Sequence, residues 1–391
     1  MGNGQFWYNG IENCLLTKFA DIAPPQSVCL VFNVDGLPPF RGSSIEFWPI
    51  LFKIENMPRL QPMVVAIYCG ETKPPLQKFL TQFVDELNHI LKNGVIVEKC
   101  KLEVKIKYFV CDTPARNFIK GTVGFNSAHG CIKCTVIGDY DRGGRHMSFP
   151  RIDCPLRTDE SFRMKTDDGH HKEDSPLLRL PINMVEDIIV ADSLHLFDLG
   201  LMRKCLYGWV NGSYNFRTKL SAAQIDQLSY LLEECNKRRP IEIHRAIRKL
   251  KCLKYWKGTE YRTFLLYIGP VILKVFLTRE AYHNFLTLCC AVTILSCNTY
   301  SKYIHIAECL LEDFIEQFID IYGIDAISSN VHNACHVVND VKKFGSLPEI
   351  SSYPFENFLG HLKTLLHTGN RQLPQLAKRV IELSKFNSLS I

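Results

Sequence analysis

With 391 residues the chain is long enough for a large core and, as a prior, two or three domains. Its 46% hydrophobic and 22% charged residues are ordinary for a globular protein, and no apolar run approaches the roughly 18–20 residues of a membrane span, so no membrane partner is expected. A net charge of +6 permits a nucleic-acid partner without demanding one.

The opening MGNGQFWYNG lacks the basic-then-apolar order of a secretory signal, and Phe6 breaks the myristoylation pattern. Sixteen cysteines are scattered through apolar segments such as CLVF and TLCCAV. That distribution suits the reduced thiols of a cytosolic or nuclear protein better than a disulfide framework.

The first third reads as strand-rich. SVCLVFNVD (27–35), SIEFWPILFKI (44–54) and PMVVAIYCG (62–70) are apolar or alternating and are separated by Pro- and Gly-bearing turns. PLQKFLTQFVDELNHILKNG (75–94) then carries a 3.6-residue apolar stripe that stops at Asn93-Gly94. KLEVKIKYFVCD (101–112) alternates, with Leu102, Val104, Ile106 and Tyr108 on one face. From about 138 to 180 the chain is polar and turn-rich, and from about 183 to 325 helical periodicity dominates. The expected architecture is an α/β core interrupted by a long helical insertion.

Asp35 ends the first of these strands and Asp112 the fourth. If the two strands are neighbours, both carboxylates emerge at one sheet end, where their repulsion is relieved by a divalent cation. Mg²⁺ fits such hard oxygen ligands and leaves positions for phosphate and water. The plainer alternative is that each Asp caps a turn.

Cys131-x-x-Cys134 follows in a Gly-bearing loop. A thioredoxin-like pair would need a helix start after a strand, whereas a zinc half-site needs two more ligands. His332 and His336, four apart in HNACH, share one helix face and would complete a closed Cys₂His₂ set, structural rather than catalytic. Cys335, His129 and the pair His170-His171 are competing ligands. His195, in ADSLHLFDLGLM, reads as a helix packing or capping residue.

DGLPPFRGSSIEFWPIL, IYCGETKPP, CDTPAR, HGCIKC, DSLHLFDLGLM, WKGTEYRTFLLYIGPVIL, HNACH and YPFENFLGHLK occur in this order. The ordered set resembles a DDE transposase of the CACTA-like (CMC) superfamily and, more distantly, the catalytic subunit of the RAG recombinase, over roughly residues 27–370. The resemblance implies a ribonuclease-H-like core, a mixed sheet with helices, interrupted by a large all-α insertion.

The implied boundaries are an N-terminal extension (1–26), a first core part (27–137), a mostly helical insertion (138–325) and a last core part (326–391). The implied catalytic triad is Asp35, Asp112 and Glu356, binding Mg²⁺ or Mn²⁺. The family's structural zinc ligands map to Cys131, Cys134, His332 and His336. The activity implied is divalent-metal-dependent DNA cleavage and strand transfer, in the nucleus, by a homodimer acting on transposon ends and target DNA. With about 26 residues before the first strand, too few for the family's usual DNA-binding region, a separate DNA-targeting partner or a domesticated, non-catalytic core enters as an alternative.

By the same resemblance, Trp256, with Lys257 and Arg262, would stack on an unpaired base and hold its strand. Trp256 as packed core is the competing reading. The basic run 236–257 reads either as a phosphate-contact surface or as a solvated helix face.

Overall fold

In the computed structural model, residues 4–20, 22–40, 42–142, 146–366 and 369–386 are described, the last two of them without their side chains. The protein is mixed α/β and divides into two units. Unit 1 comprises Met1–Gly124, Thr158–Ile189 and Ser352–Ile391; unit 2 comprises Phe125–Arg157 and Val190–Ser351.

Unit 1 is built on a mixed sheet. Its strands are β1 (Gln5–Tyr8), β2 (Ser27–Val34), β3 (Glu46–Ile54), β4 (Met63–Gly70), β5 (Val95–Val97) and β6 (Cys100–Phe109), in the spatial order β1-β4-β3-β2-β6-β5. β2, β3 and β4 form an antiparallel meander, as their short turns require, whereas β6 lies parallel to β2. A parallel neighbour needs a crossover, and the helix α2 (Leu76–Asn93) supplies it. Its stripe of Phe79, Leu80, Phe83, Val84, Leu87 and Ile90 is buried as its spacing predicts, and Gly94 ends it at φ 73°. Phe83 meets Phe32 edge-on at 5.1 Å and Phe32 stacks on Phe109 at 5.2 Å, which ties α2 to the two parallel strands.

β6 departs from simple alternation. Its pairing with β2 skips Lys107, so Leu102 and Val104 join the main core before the skip and Phe109, not Tyr108, joins it afterwards. One extra residue turns the strand end over, a device that re-aims the side chains beyond it. Beside that end runs a stretch read from sequence as insertion. Phe109 N–H donates to Asp187 O at 2.7 Å, Ile189 N–H donates to Phe109 O at 3.0 Å, and Phe109 bridges Ile188 in parallel.

Residues 1–26, expected as an extension, carry β1 on the sheet edge and α1 (Ile11–Lys18), whose Ile11 and Leu15 are fully buried. Glu86 of α2 caps α1 by accepting the N–H of Ile11 and Glu12 at 2.9 and 3.0 Å. The helices Tyr353–Thr364 and Gln372–Phe386 also belong to unit 1.

Unit 2 is mainly helical. A π-helix, Ser193–Met202, runs into Arg203–Asn211, and the long helices Arg279–Ser296 and Ile304–Tyr322 pack together. Trp209 donates to Tyr322 Oη at 3.1 Å, joining the first pair to the second. The unit is not all-α: Asp139–Asp141 pairs antiparallel with His146–Ser148. Its boundaries also differ from those expected. The cysteine loop and the histidine pair fall within this unit, and Thr158–Ile189 returns to unit 1.

Candidate metal centre and acidic sheet end

Asp35 follows β2 directly and Asp112 is the N-cap of α3 (Thr113–Lys120). Phe32 and Phe109 are paired residues of the parallel ladder, and counting on equally from them reaches Asp35 and Asp112. Between the strand ends, Val110 N–H donates to Phe32 O at 2.9 Å and Val34 N–H to Cys111 Sγ at 3.3 Å. Asn33 Nδ2 donates to Val110 O at 2.8 Å, so both strand ends are fixed by hydrogen bonds. Burial pushes the Cys111 thiol up and the charges of Asp112 and Asp35 push it further, as expected when both carboxylates flank it.

Both carboxylates also do the plainer work. Asp112 Oδ1 accepts the N–H of Ala115 at 2.8 Å, and Asp35 Oδ1 accepts that of Gly36 at 2.7 Å. Gly121 closes α3 in the left-handed region (φ 70°), where a Cβ would lie 2.2 Å from Glu173 O. Glu356 sits in the first turn of Tyr353–Thr364, with Phe355, Leu359 and Leu362 buried beneath that helix. Asp35, Asp112 and Glu356 are not gathered within one ion's reach of each other as the cysteine and histidine set is. Carboxylates brought together need a cation or a shared proton to offset their repulsion.

Cys131, Cys134, His332 and His336 are drawn together, all buried, with their ligand atoms within 4.8 Å of one another. The separations are 3.6 Å between the two Sγ atoms, 3.2 Å from Cys134 Sγ to His332 Nε2, 3.6 Å from Cys131 Sγ to His336 Nε2, and 3.2 Å between the Nε2 atoms. A tetrahedral zinc ion, about 2.3 Å from sulfur and about 2.05 Å from nitrogen, spaces its ligands about 3.8, 3.5 and 3.3 Å apart for S···S, S···N and N···N. The donor types and the edges both fit, so the cluster could hold a metal such as zinc.

Burial raises the Cys131 thiol, yet the hydrogen bond from Cys134 and the two imidazoles outweigh it and hold it well below its usual value. Cys134 N–H also points at Cys131 Sγ, at 3.4 Å. His332 Nδ1 is buried without a hydrogen-bond partner, so Nε2 carries the polar work of that ring.

The competing ligands resolve differently. Cys335 donates its thiol to His332 O at 3.0 Å, and His129 is outside the four. His170 and His171 pack on Phe162 in unit 1, at 6.0 and 4.7 Å between ring centres. His195 Nδ1 lies 2.6 Å from Asp192 Oδ2 at the start of the π-helix, a capping arrangement.

Two functional partners of the centre escaped the sequence reading. Lys133, between the cysteines, meets Asp340 at 2.8 Å with side chains only 8% and 4% exposed. Asp340 Oδ2 also accepts the N–H groups of Val190 and Ala191 at 2.6 and 3.1 Å. The signal was the spacing: Asp340 stands one helical turn beyond His336, as His336 does beyond His332. The ligand loop is held too by Arg157, whose Nε donates to Cys131 O at 3.1 Å.

The basic run is not one helix face: it leaves the helix Ala222–Lys237 for a loop and a short 3₁₀ helix at Leu250–Tyr255. Lys237, Lys249 and Lys251 pair with Glu234, Glu233 and Asp226 at 2.5, 2.9 and 3.0 Å, and Arg248 Nε donates to the buried Glu260 at 2.9 Å. Trp256 is 5% exposed and its ring packs against Tyr261 and Phe264 at 5.3 and 5.9 Å. The packed-core reading therefore describes it, and the stacking role is corrected: a ring enclosed by two aromatics offers no face to a base. Lys257 is exposed and Arg262 is half-buried.

Compared with known proteins, the chain matches no family model and no curated protein.

Proposed function

We propose that this chain is the catalytic part of a DDE-type DNA transposase of the CACTA-like superfamily, with unit 1 a ribonuclease-H-like core. The observation that carries this reading is the parallel ladder between β2 and β6, which brings Asp35 and Asp112 level at one sheet end. Agreeing with it are the order β4-β3-β2-β6 and the parallel stretch at Asp187–Ile189 beside β6. Asp35, Asp112 and Glu356 would hold Mg²⁺, whose chemistry when bound is to polarise a phosphodiester.

The chain's own contribution is positional. The cap of α3 fixes Asp112 and the Gly36 turn fixes Asp35, so only the Tyr353–Thr364 helix has to bring its carboxylate to them. The reading extends to DNA strand cleavage and transfer by a nuclear homodimer on transposon ends and target. Mn²⁺-dependent nicking of supercoiled plasmid tests it. Wild-type protein nicks, and Asp112→Asn and Glu356→Gln abolish nicking without unfolding; a folded wild type that never nicks overturns it.

A second reading has its own support. Asp35 and Asp112 each already serve a backbone N–H, and the three carboxylates do not form a gathered set. On that reading the core is a domesticated DNA- or protein-binding module whose acids are turn and helix caps.

A further inference from the structure

Unit 1 contains a cavity of about 240 Å³ whose walls come from four parts of that unit. They are the end of α1, the turn between β3 and β4, and the helices Tyr353–Thr364 and Gln372–Phe386. Its floor is polar in composition but already satisfied. Cys14 donates its thiol to Val64 O at 3.2 Å, and Asn9 Nδ2 donates to the same carbonyl and to Cys14 Sγ, each at 3.1 Å. Burial pushes the Cys14 thiol up to about 12, so the floor stays uncharged at neutral pH.

The sides are apolar and the mouth is cationic. Met63, Phe358, Leu362 and Leu383 supply the walls, while Lys18, Arg59 and His361 supply nitrogen donors. Arg59 and His361 are exposed, which places them at the opening. Among the described residues no Asp or Glu lines the cavity, and Arg59 forms no ion pair. An apolar space behind a mouth of one sign suits a molecule with an apolar body and an anionic head. A carboxylate matches the planar guanidinium fork of Arg59 with a single charge, and the small volume admits one chain.

The cavity also bears on a helix. Tyr353–Thr364, buried at Phe355, Leu359 and Leu362, has this space on one flank. Leu362 lines as well a crevice, shared with Leu37 and Phe47, that is too tight for a water. A ligand in the cavity would supply packing that this helix lacks.

We infer that the cavity binds a medium-chain fatty acid, its carboxylate on Arg59 and its tail against Phe358, Leu362 and Leu383, and that binding braces the Tyr353–Thr364 helix. Glu356 stands on the same helix, so the ligand would also steady the residue proposed above as third acid. The inference goes beyond the DNA reading. Its binding step is read without DNA, so its failure and the failure of nicking are separate results.

The test is isothermal titration calorimetry of the full chain with octanoate, kept below its micelle-forming concentration, beside octanol and octylamine. Octanoate should bind one to one and at least about tenfold more tightly than octylamine, the sign of a charge-assisted contact. Arg59→Gln, on an exposed side chain, should weaken octanoate at least about fivefold and change octanol less than about twofold. Leu383→Trp, which fills the cavity, should abolish binding of both. In hydrogen exchange, octanoate should slow the amides of 353–364 more than those of α2.

A folded wild type that does not bind octanoate would overturn the assignment. So would octylamine binding as tightly, or octanoate binding unchanged by Arg59→Gln. Binding that survives in folded Leu383→Trp would place the ligand elsewhere, and where that variant does not fold, Arg59→Gln carries the decision. Binding without local slowing of exchange would remove the brace.

Discussion

The Cys₂His₂ cluster and the three acids proposed for unit 1 both draw on distant parts of the chain, yet only the first set lies within one ion's reach. Thiols and imidazoles can share protons, so Cys131, Cys134, His332 and His336 make short contacts with one another. Carboxylates only accept and repel. Asp35 and Asp112 each accept a backbone N–H, and Glu356 lies in the first turn of its helix. A set of thiols and imidazoles can be packed like core, whereas carboxylates at strand and helix ends are positioned by the scaffold's caps and turns.

This contrast can be broken most forcefully at the cluster. Cys134→Ser or His332→Ala should abolish stoichiometric zinc, read by elemental analysis, and lower the melting temperature of unit 2 by about 10 °C or more, since metal binding is folding free energy. Zinc-free protein that melts unchanged would mean that the four residues are merely packed. Next in size, Trp256→Ala and Asp340→Ala should each cost about 3–5 kcal/mol in denaturant unfolding. The first empties an aromatic site and the second strands a buried ammonium and two N–H groups. A loss below about 1 kcal/mol for Trp256→Ala would return its ring to the surface and reopen a stacking role.

At the acidic end the effects on stability should be small and those on activity total. Asp112→Ala should cost about 1 kcal/mol through its lost cap, and Asp112→Asn only a few tenths, because Asn caps nearly as well. Both should remove Mn²⁺-dependent nicking. Nicking that survives in Asp112→Asn would assign the residue to capping alone.

Much of this was legible in the residues. The apolar stripe of α2, its stop at Gly94 and the strands of the meander follow from period. Spacing offered the four ligands of the cluster beside Cys335, His129 and His170-His171, and the resemblance singled them out. The illegible parts have physical causes. The skip at Lys107 arises from pairing with β2, which no local pattern in KLEVKIKYFVCD encodes. The stretch 158–189 runs from a polar, turn-rich part into one read as helical. Its return to the sheet at Asp187–Ile189, made by two long-range hydrogen bonds, is therefore not written in the local pattern. Burial of Trp256 depends on Tyr261 and Phe264 arriving from the following helix, and an amphipathic reading cannot separate that from exposure.

The order in which the four soft ligands appear in the chain has a consequence for biosynthesis. His332 lies 198 residues after Cys134, with most of unit 2 between them. At roughly 5–20 residues per second, a ribosome delivers the thiol pair about 10–40 s before the first imidazole that completes the set. Through that interval the nascent chain carries an open two-cysteine site, vulnerable to oxidation or to capture of the wrong ion. When the histidines arrive, closing a ring of this size removes about 5 kcal/mol of chain entropy from the unfolded ensemble, by the logarithmic loop law. Metal supply during translation would then set the yield of unit 2 more than its stability once folded.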